Sequence, residues 1–288
     1  MGLHTLDRES DRLTSYGRRP GIPPRVILGL VVAAVSLFSY FASTSYNPIT
    51  EKKQHVSISK EQEIALGLQA KPSMERQYGG ESRDLAKQAL VKAVGNEIVS
   101  KSDAAKTDYR YEFHLLADPR TVNAFALPGG QVFITQGLLR HLRTRGELAG
   151  VLGHEVGHVA ARHSAQHLAK QQLTQGLTGA TVIATYDPND PQSRASAQLA
   201  MVIGQLVNLK FNRNDEIESD RLGIRFISQA GYDPRGMIKV MEVLRDQSKS
   251  SRTPEFFATH PNPENRIEKI QAVIKEQFPN GVPEGMKR

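Results

Sequence analysis

The chain has 288 residues, 39% hydrophobic and 23% charged, which suits a folded domain with one sizeable core and excludes a disordered polymer. It has no cysteine, so disulfides, thiolate metal sites, cysteine nucleophiles and lipid anchoring through cysteine are excluded; any metal must be held by His, Asp and Glu. The formal charge of +7 comes without a dense Lys/Arg cluster interleaved with aromatics, so no nucleic-acid partner is expected.

Residues 1–25 are polar and Arg-rich, contain RRPGIPP, and read as a disordered cytoplasmic tail. From Val26 to Thr50 no residue is charged, and the centre, VILGLVVAAVSLFSYFA, is nearly all apolar. A helix crossing the hydrocarbon needs about 20 such residues. Arg18, Arg19 and Arg25 precede the run, and Tyr40 and Tyr46 lie at its far end. For a bacterial chain this order predicts a single-pass inner-membrane anchor over residues 26–46, N-terminus in the cytoplasm and the rest outside it. A cleaved signal peptide is the alternative, with small residues in FASTS for cleavage and a secreted product. Residues 47–57 read as a linker.

SISKEQEIALGLQA starts a helix that Ser59 can cap, with Gln62 completing a capping box. DLAKQALVKAVGNEIVSK has apolar residues at helical spacing. YRYEFHLLAD alternates as a strand does, and VNAFALPGGQVFITQGLL reads as strand, Pro-Gly-Gly turn, strand and helix start. One long helix is expected from Arg145 to about Leu173. Residues 173–209 form an apolar, insertion-like segment, either a lid or docking surface or a pair of core helices. Three further helices follow, in NRNDEIESDRLGIRFISQAG, PRGMIKVMEVLRDQS and the end of FATHPNPENRIEKIQAVIKEQF, and residues 278–288 read as a loose tail. The expected domain, residues 58–277, is therefore α+β: helix-rich, with a small sheet and no internal repeat.

The chemistry concentrates in LGHEVGHVAARH, Leu152 to His163. Residues four apart share a helix face, so His154 and His158 present two imidazoles to one point, as neighbouring zinc ligands must. Glu155 projects to the side, where it can act on water as a general base; this is the HExxH arrangement. A catalytic zinc needs a third protein ligand. The HExxHxxGxxH pattern fails, because Ala161 and Ser164 stand where Gly and His are required. His163 and His167 read as a helix face. Glu216 and Asp220, four apart on a later helix, share a face: one carboxylate can bind metal while the other accepts a hydrogen bond from a ligand imidazole.

HEVGH followed by NRNDEIESDRLG resembles the zinc metallopeptidases of peptidase family M48. NAFALPGGQVFITQGLL and THPNPENRI, Thr259 to Ile267, are similar to two further segments of that family, in the same order. The resemblance covers about residues 58–275. It implies a zincin-type metalloprotease domain of the gluzincin kind, holding one Zn²⁺ per chain. By the same resemblance His154, His158 and Glu216 are the zinc ligands, Glu155 the base and Asp220 the residue that orients a ligand histidine. One departure is Ser219, where the family usually has Ala. The single N-terminal apolar segment differs from the multi-span members and argues against prenyl-protein substrates.

The expected activity is endopeptidase hydrolysis of protein or peptide substrates, with misassembled envelope proteins as the implied targets. An edge strand in NAFALPGG, with Asn123 and Ala124 facing the substrate backbone, would hold the peptide by strand addition; the bland reading of that segment is a tight turn. His260 and Arg266 are candidates to stabilise the oxyanion. His260 has a second reading, occupying the open zinc position in a resting state, and Arg266 a plainer one, pairing with a carboxylate. The rival function is a chaperone-like or self-inhibited binding module with little proteolysis. The oligomeric state is not legible.

Overall fold

The computed structural model describes residues 22–185, 211–250, 254–261 and 265–288. Helix α1, Pro24–Ala42, starts on a Pro pair and is long and apolar enough to cross a membrane. The stretch read as a linker is a β-hairpin instead: β1, Thr44–Asn47, pairs antiparallel with β2, Lys52–His55. Asn47 explains its place. Its buried amide donates to the Ala160 carbonyl at 2.9 Å and so ties the hairpin to the end of the HEVGH helix.

Helix α2, Lys60–Gln77, opens on the Ser59–Gln62 capping box, and α3, Leu85–Ser100, is capped by Asp84. The sheet follows as β3, Glu112–Leu116, β4, Ala124–Leu127, and β5, Gln131–Thr135, in the order β3-β5-β4. β5 is central and wholly buried, parallel to β3 and antiparallel to β4, so β4 is an edge. After the short α4, Gln136–Leu139, comes α5, Arg145–Ala160, buried almost end to end and carrying HEVGH. Then come α6, His163–Thr185, α7, Arg213–Gln229, α8, Arg235–Ser250, the short α9, Phe256–Thr259, and α10, Arg266–Gln277. The helix-rich α+β architecture with a small sheet is as expected. The rest of the insertion-like segment, residues 186–209, lies outside the described residues.

The single helix expected from Arg145 to Leu173 is broken in two. Arg162 adopts a left-handed backbone, φ 59°, and its side chain reaches away to Glu63, with Nε 2.7 Å from Oε1, and to the Ile58 carbonyl at 3.0 Å. Burial pushes the Glu63 carboxyl up against the pull of Arg162. The strained turn is thus held by a largely buried ion pair.

α5 and α7 approach at glycines. A Cβ on Gly157 would meet the Ser219 carbonyl at 2.8 Å, and one on Gly153 would meet Ile227 Cγ2 at 2.4 Å. The close approach lets a glutamate on α7 reach histidines on α5.

The C-terminal residues read as loose are pinned. Lys287 N donates to the Gly231 carbonyl and Asp233 N to the Lys287 carbonyl, both at 2.9 Å, and the Lys287 ammonium pairs with Glu97. Bonds from Lys101, Lys287 and Tyr232 bring the Glu97 carboxyl from an ordinary 4.5 down to about 2. A depressed carboxyl contributes stability that is fully present above its unfolded value and is lost as pH falls toward the folded one. Acidification from about 4.5 to about 2 should therefore release the tail. Amide exchange at Lys287, corrected for the intrinsic pH effect, should rise across that window; an unchanged protection factor would show that the backbone bonds alone hold the tail.

Candidate metal centre

Four side chains from three places in the sequence meet beside α5. His154 Nε2 lies 3.1 Å from His158 Nε2, 3.5 Å from Glu216 Oε2 and 3.4 Å from His260 Nδ1. His158 Nε2 is 3.4 Å and His260 Nδ1 3.0 Å from Glu216 Oε1. All four residues are buried, and one donor atom from each lies within 4.8 Å of the rest.

The donor set fits zinc. Four ligand atoms placed tetrahedrally at about 2.0–2.1 Å from an ion are about 3.3 Å apart, close to the spacings here. Hydrogen bonding on the far side of each ring argues the same way. His154 Nδ1 sits 2.9 Å from Asp220 Oδ1, so Nδ1 carries a proton and Nε2 is the atom turned to the other three side chains. His158 Nδ1 sits 2.9 Å from His163 Nδ1, and His163 Nε2 is 3.2 Å from Glu218 Oε2. With protons placed outward, His158 donates to His163 and His163 donates to Glu218, which leaves the His158 Nε2 lone pair facing His154 Nε2. Two ring nitrogens 3.1 Å apart beside a carboxylate hold a cation between them, a shared proton or a metal ion in its place.

Burial opposes charge on His154, but Asp220 and Glu216 outweigh it and hold that imidazole up to about 9. On His158 burial wins and its affinity for a second proton falls well below the ordinary value. Burial would raise the Glu216 carboxyl, yet His260, His154 and His158 together push it far down. The Glu155 carboxyl is pushed up, by burial first. It is fully buried, neither oxygen has a hydrogen-bond partner among the described residues, and His260 Nε2, also without one among them, lies 3.6 Å from Oε1.

Arg266 is committed to carboxylates. Its Nε and Nη2 each donate to Asp220 at 2.8 Å, and Nη1 lies 3.0 Å from Glu216 Oε2. This is the carboxylate pairing offered as the plainer reading. His260 stacks on Phe256, ring centroids 4.4 Å apart, with Nδ1 among the ligand atoms. The Ser219 hydroxyl donates to the His154 carbonyl, so the departure at that position adds a tie between α5 and α7.

Asn123 and Ala124 sit at the start of the edge strand, both buried. Asn123 spends its main chain on Thr135, whose N and Oγ1 both donate to the Asn123 carbonyl at 3.0 Å. In an antiparallel pair alternate residues face the partner, so Ala124 and Ala126 turn their N–H and C=O to the free edge and Asn123 does not. Of the two expected backbone-facing positions, only Ala124 has that orientation.

A sequence model of peptidase family M48 matches residues 85–274. The chain belongs to this family. Among relatives, the beta-barrel assembly-enhancing protease of Escherichia coli is 33% identical over 183 residues, covering 62% of this chain and 37% of its own length. The mitochondrial metalloendopeptidase OMA1 of Schizosaccharomyces pombe is 29% identical over 253 residues, 87% of this chain and 72% of its own. The OMA1 metalloendopeptidase of Danio rerio is 33% identical over 168 residues, 56% of this chain and 35% of its own. The chain thus spans 37% of the length of the first of these relatives and the larger part of the second.

His163, read in the sequence as part of a helix face, stands beside the candidate centre, with Nδ1 2.9 Å from His158 Nδ1. The signal was its distance: five residues after His158 is not a helical neighbour position, but the turn at Arg162 makes it one. On the same helix as Glu216, Glu218 and Asp215 pair with His163 and with His167 respectively.

Proposed function

We propose that the protein is a zinc-dependent endopeptidase, with His154, His158 and Glu216 as the metal ligands. The observation that carries this is the convergence of His154 Nε2 and His158 Nε2, 3.1 Å apart, on the Glu216 carboxylate, each ring fixed by a partner on its far nitrogen. Zinc held there supplies Lewis-acid polarisation of the scissile carbonyl and a more acidic water. Glu155 takes the proton of the attacking water and gives it to the leaving amine; its burial raises its proton affinity toward that task. Asp220 fixes the tautomer of His154, His163 that of His158, and Arg266 locks Asp220 and Glu216 in place. The edge of β4, through the half-buried Ala126, offers an extended substrate main-chain partners. Protein or peptide substrates follow from the family. Proteins of a bacterial envelope, met by a domain that α1 anchors outside the cytoplasm with its N-terminus inside, are the reading that the basic N-terminal flank supports.

His260 supports a resting form. Its Nδ1 stands among the ligand atoms, so the ring has to swing out before a substrate carbonyl can enter.

The deciding experiment is zinc content of the full chain purified in detergent. About one zinc per chain is expected, with most of it lost in Glu216→Ala. In Asp220→Ala the affinity should fall about 10–100-fold, as for other residues that orient a metal ligand. A folded chain that takes up no zinc when zinc is offered would sink the reading. His163→Phe should weaken zinc by a similar factor, about 10–100-fold, because it removes the acceptor for His158. His163→Gln, which can still accept, should recover part of it. Equal affinity in both variants and the parent would return His163 to a packing role.

A further inference from the structure

Helix α6 leaves the metal centre and runs along α1. The two are antiparallel. Gln172 and Leu173 lie beside Ser39, Tyr40 and Ser43, near the domain end of α1. One turn on, a Cβ on Gly176 would strike Ser36 Oγ at 2.1 Å. Near the far end, a Cβ on Gly29 would meet the Ala180 carbonyl at 2.7 Å and Ala184 Cβ at 2.9 Å. Whatever slab contains α1 between Gly29 and Ser36 therefore also contains α6 between Gly176 and Ala184.

That slab is apolar. α1 shows the outside Ile27, Leu28, Leu30, Val31, Phe38 and Phe41, each at least half exposed. From Gln171 to Thr185, α6 carries no charged residue; Lys170 is the last. The three glutamines of this uncharged run, 171, 172 and 175, fall at the end near Tyr40, and Gly176 to Thr185 has none. The exposed residues of that stretch are Thr181 and Thr185, and both have their hydroxyls bonded within the helix, as a hydrocarbon setting demands. Thr181 and Thr185 donate their hydroxyls to the carbonyls of Leu177 and Thr181 at 3.0 and 2.8 Å, and Ser36 on α1 does the same to Val32 at 2.8 Å. α6 alone is only moderately apolar, but close packing on the small residues of α1 is how such a helix is retained in lipid.

We propose that residues 171–185 of α6 lie in the bilayer beside α1, as a second membrane-embedded helix whose outer face meets lipid acyl chains, with the metal centre held at the membrane surface. His163 is seven residues before Lys170, which sets the centre about 10 Å out from the start of the uncharged run. A peptidase so placed would take protein segments close to the membrane surface; that consequence rests on the peptidase reading, whereas the embedding of α6 does not.

The chain has neither Trp nor Cys, so a single introduced indole reports alone. The full chain would be reconstituted in phosphatidylcholine vesicles with or without brominated acyl chains, carrying Thr181→Trp or Val182→Trp on α6, Phe38→Trp on α1, or Arg120→Trp on an exposed loop. Circular dichroism would check folding. The α6 indoles should lose emission to brominated lipid as strongly as Phe38→Trp and resist aqueous iodide, while Arg120→Trp does the reverse. Lipid quenching of Phe38→Trp with iodide quenching of both α6 indoles would overturn the proposal, since α6 would then lie in water. Absence of lipid quenching at Phe38→Trp as well would overturn it through α1. Peptide hydrolysis by the parent chain in the same vesicles reports separately on the peptidase reading.

Discussion

Glu155→Gln should lower kcat/KM for peptide hydrolysis about 100- to 10,000-fold while the chain stays folded and keeps its zinc. Glu155 has no hydrogen-bond donor to lose among the described residues, and it is fully buried. Glutamine has the same shape and no charge to desolvate, so the substitution removes the proton acceptor at little cost in stability. Hydrolysis of a quenched fluorescent peptide, metal content and thermal unfolding would be measured on the same sample. Hydrolysis at the parent rate would exclude Glu155 as the base. Loss of zinc with activity would make it a structural part of the metal site. Unchanged association with a client protein by the inactive variant would favour a binding module that seldom cuts. The parent pH profile gives a second check. Burial raises this carboxyl, so the acid limb of kcat/KM should fall off above the ordinary carboxylate range.

The spacing within HEVGH was enough to place His154 and His158 side by side with Glu155 next to them, because a helix turns spacing directly into direction. The α7 carboxylates were legible for the same reason: Glu216 and Asp220 share a face. The Ser59–Gln62 cap and the edge strand were local enough to read as well. What failed depended on contacts distant in sequence. The break at Arg162 needs Glu63, 99 residues away, and without it His163 points nowhere useful. The hairpin after α1 looks like a linker until Asn47 finds the Ala160 carbonyl, 113 residues on. Arg266 had two readings in the sequence, oxyanion or carboxylate, and only the fold supplies the carboxylates. The passage of α6 along α1 was hidden because neither sequence names its neighbour.

Arg266→Met should destabilise the domain by about 3–5 kcal/mol, since it strips the cation from two buried carboxylates. Asp220 and Glu216 are 4% and 0% exposed, and Arg266 itself is 3% exposed, so water cannot take over the lost bonds. For a domain of this size that is a fall of roughly 6–20 °C in Tm. Arg266→Lys should recover only part, because an ammonium cannot donate two parallel bonds to Asp220 as Nε and Nη2 do. Adding Asp220→Asn to Arg266→Met should restore some stability, because it removes one of the stranded charges; a double-mutant cycle on thermal unfolding would measure the coupling. The oxyanion reading makes the opposite forecast for the same variant. A group that acts only on the transition state can be lost with Tm and zinc affinity intact and kcat reduced. A small change in Tm together with a large fall in kcat would therefore take Arg266 away from Asp220 and return it to the substrate. A large fall in Tm, relieved by Asp220→Asn, would make it a positioning residue that acts through the carboxylates of α7.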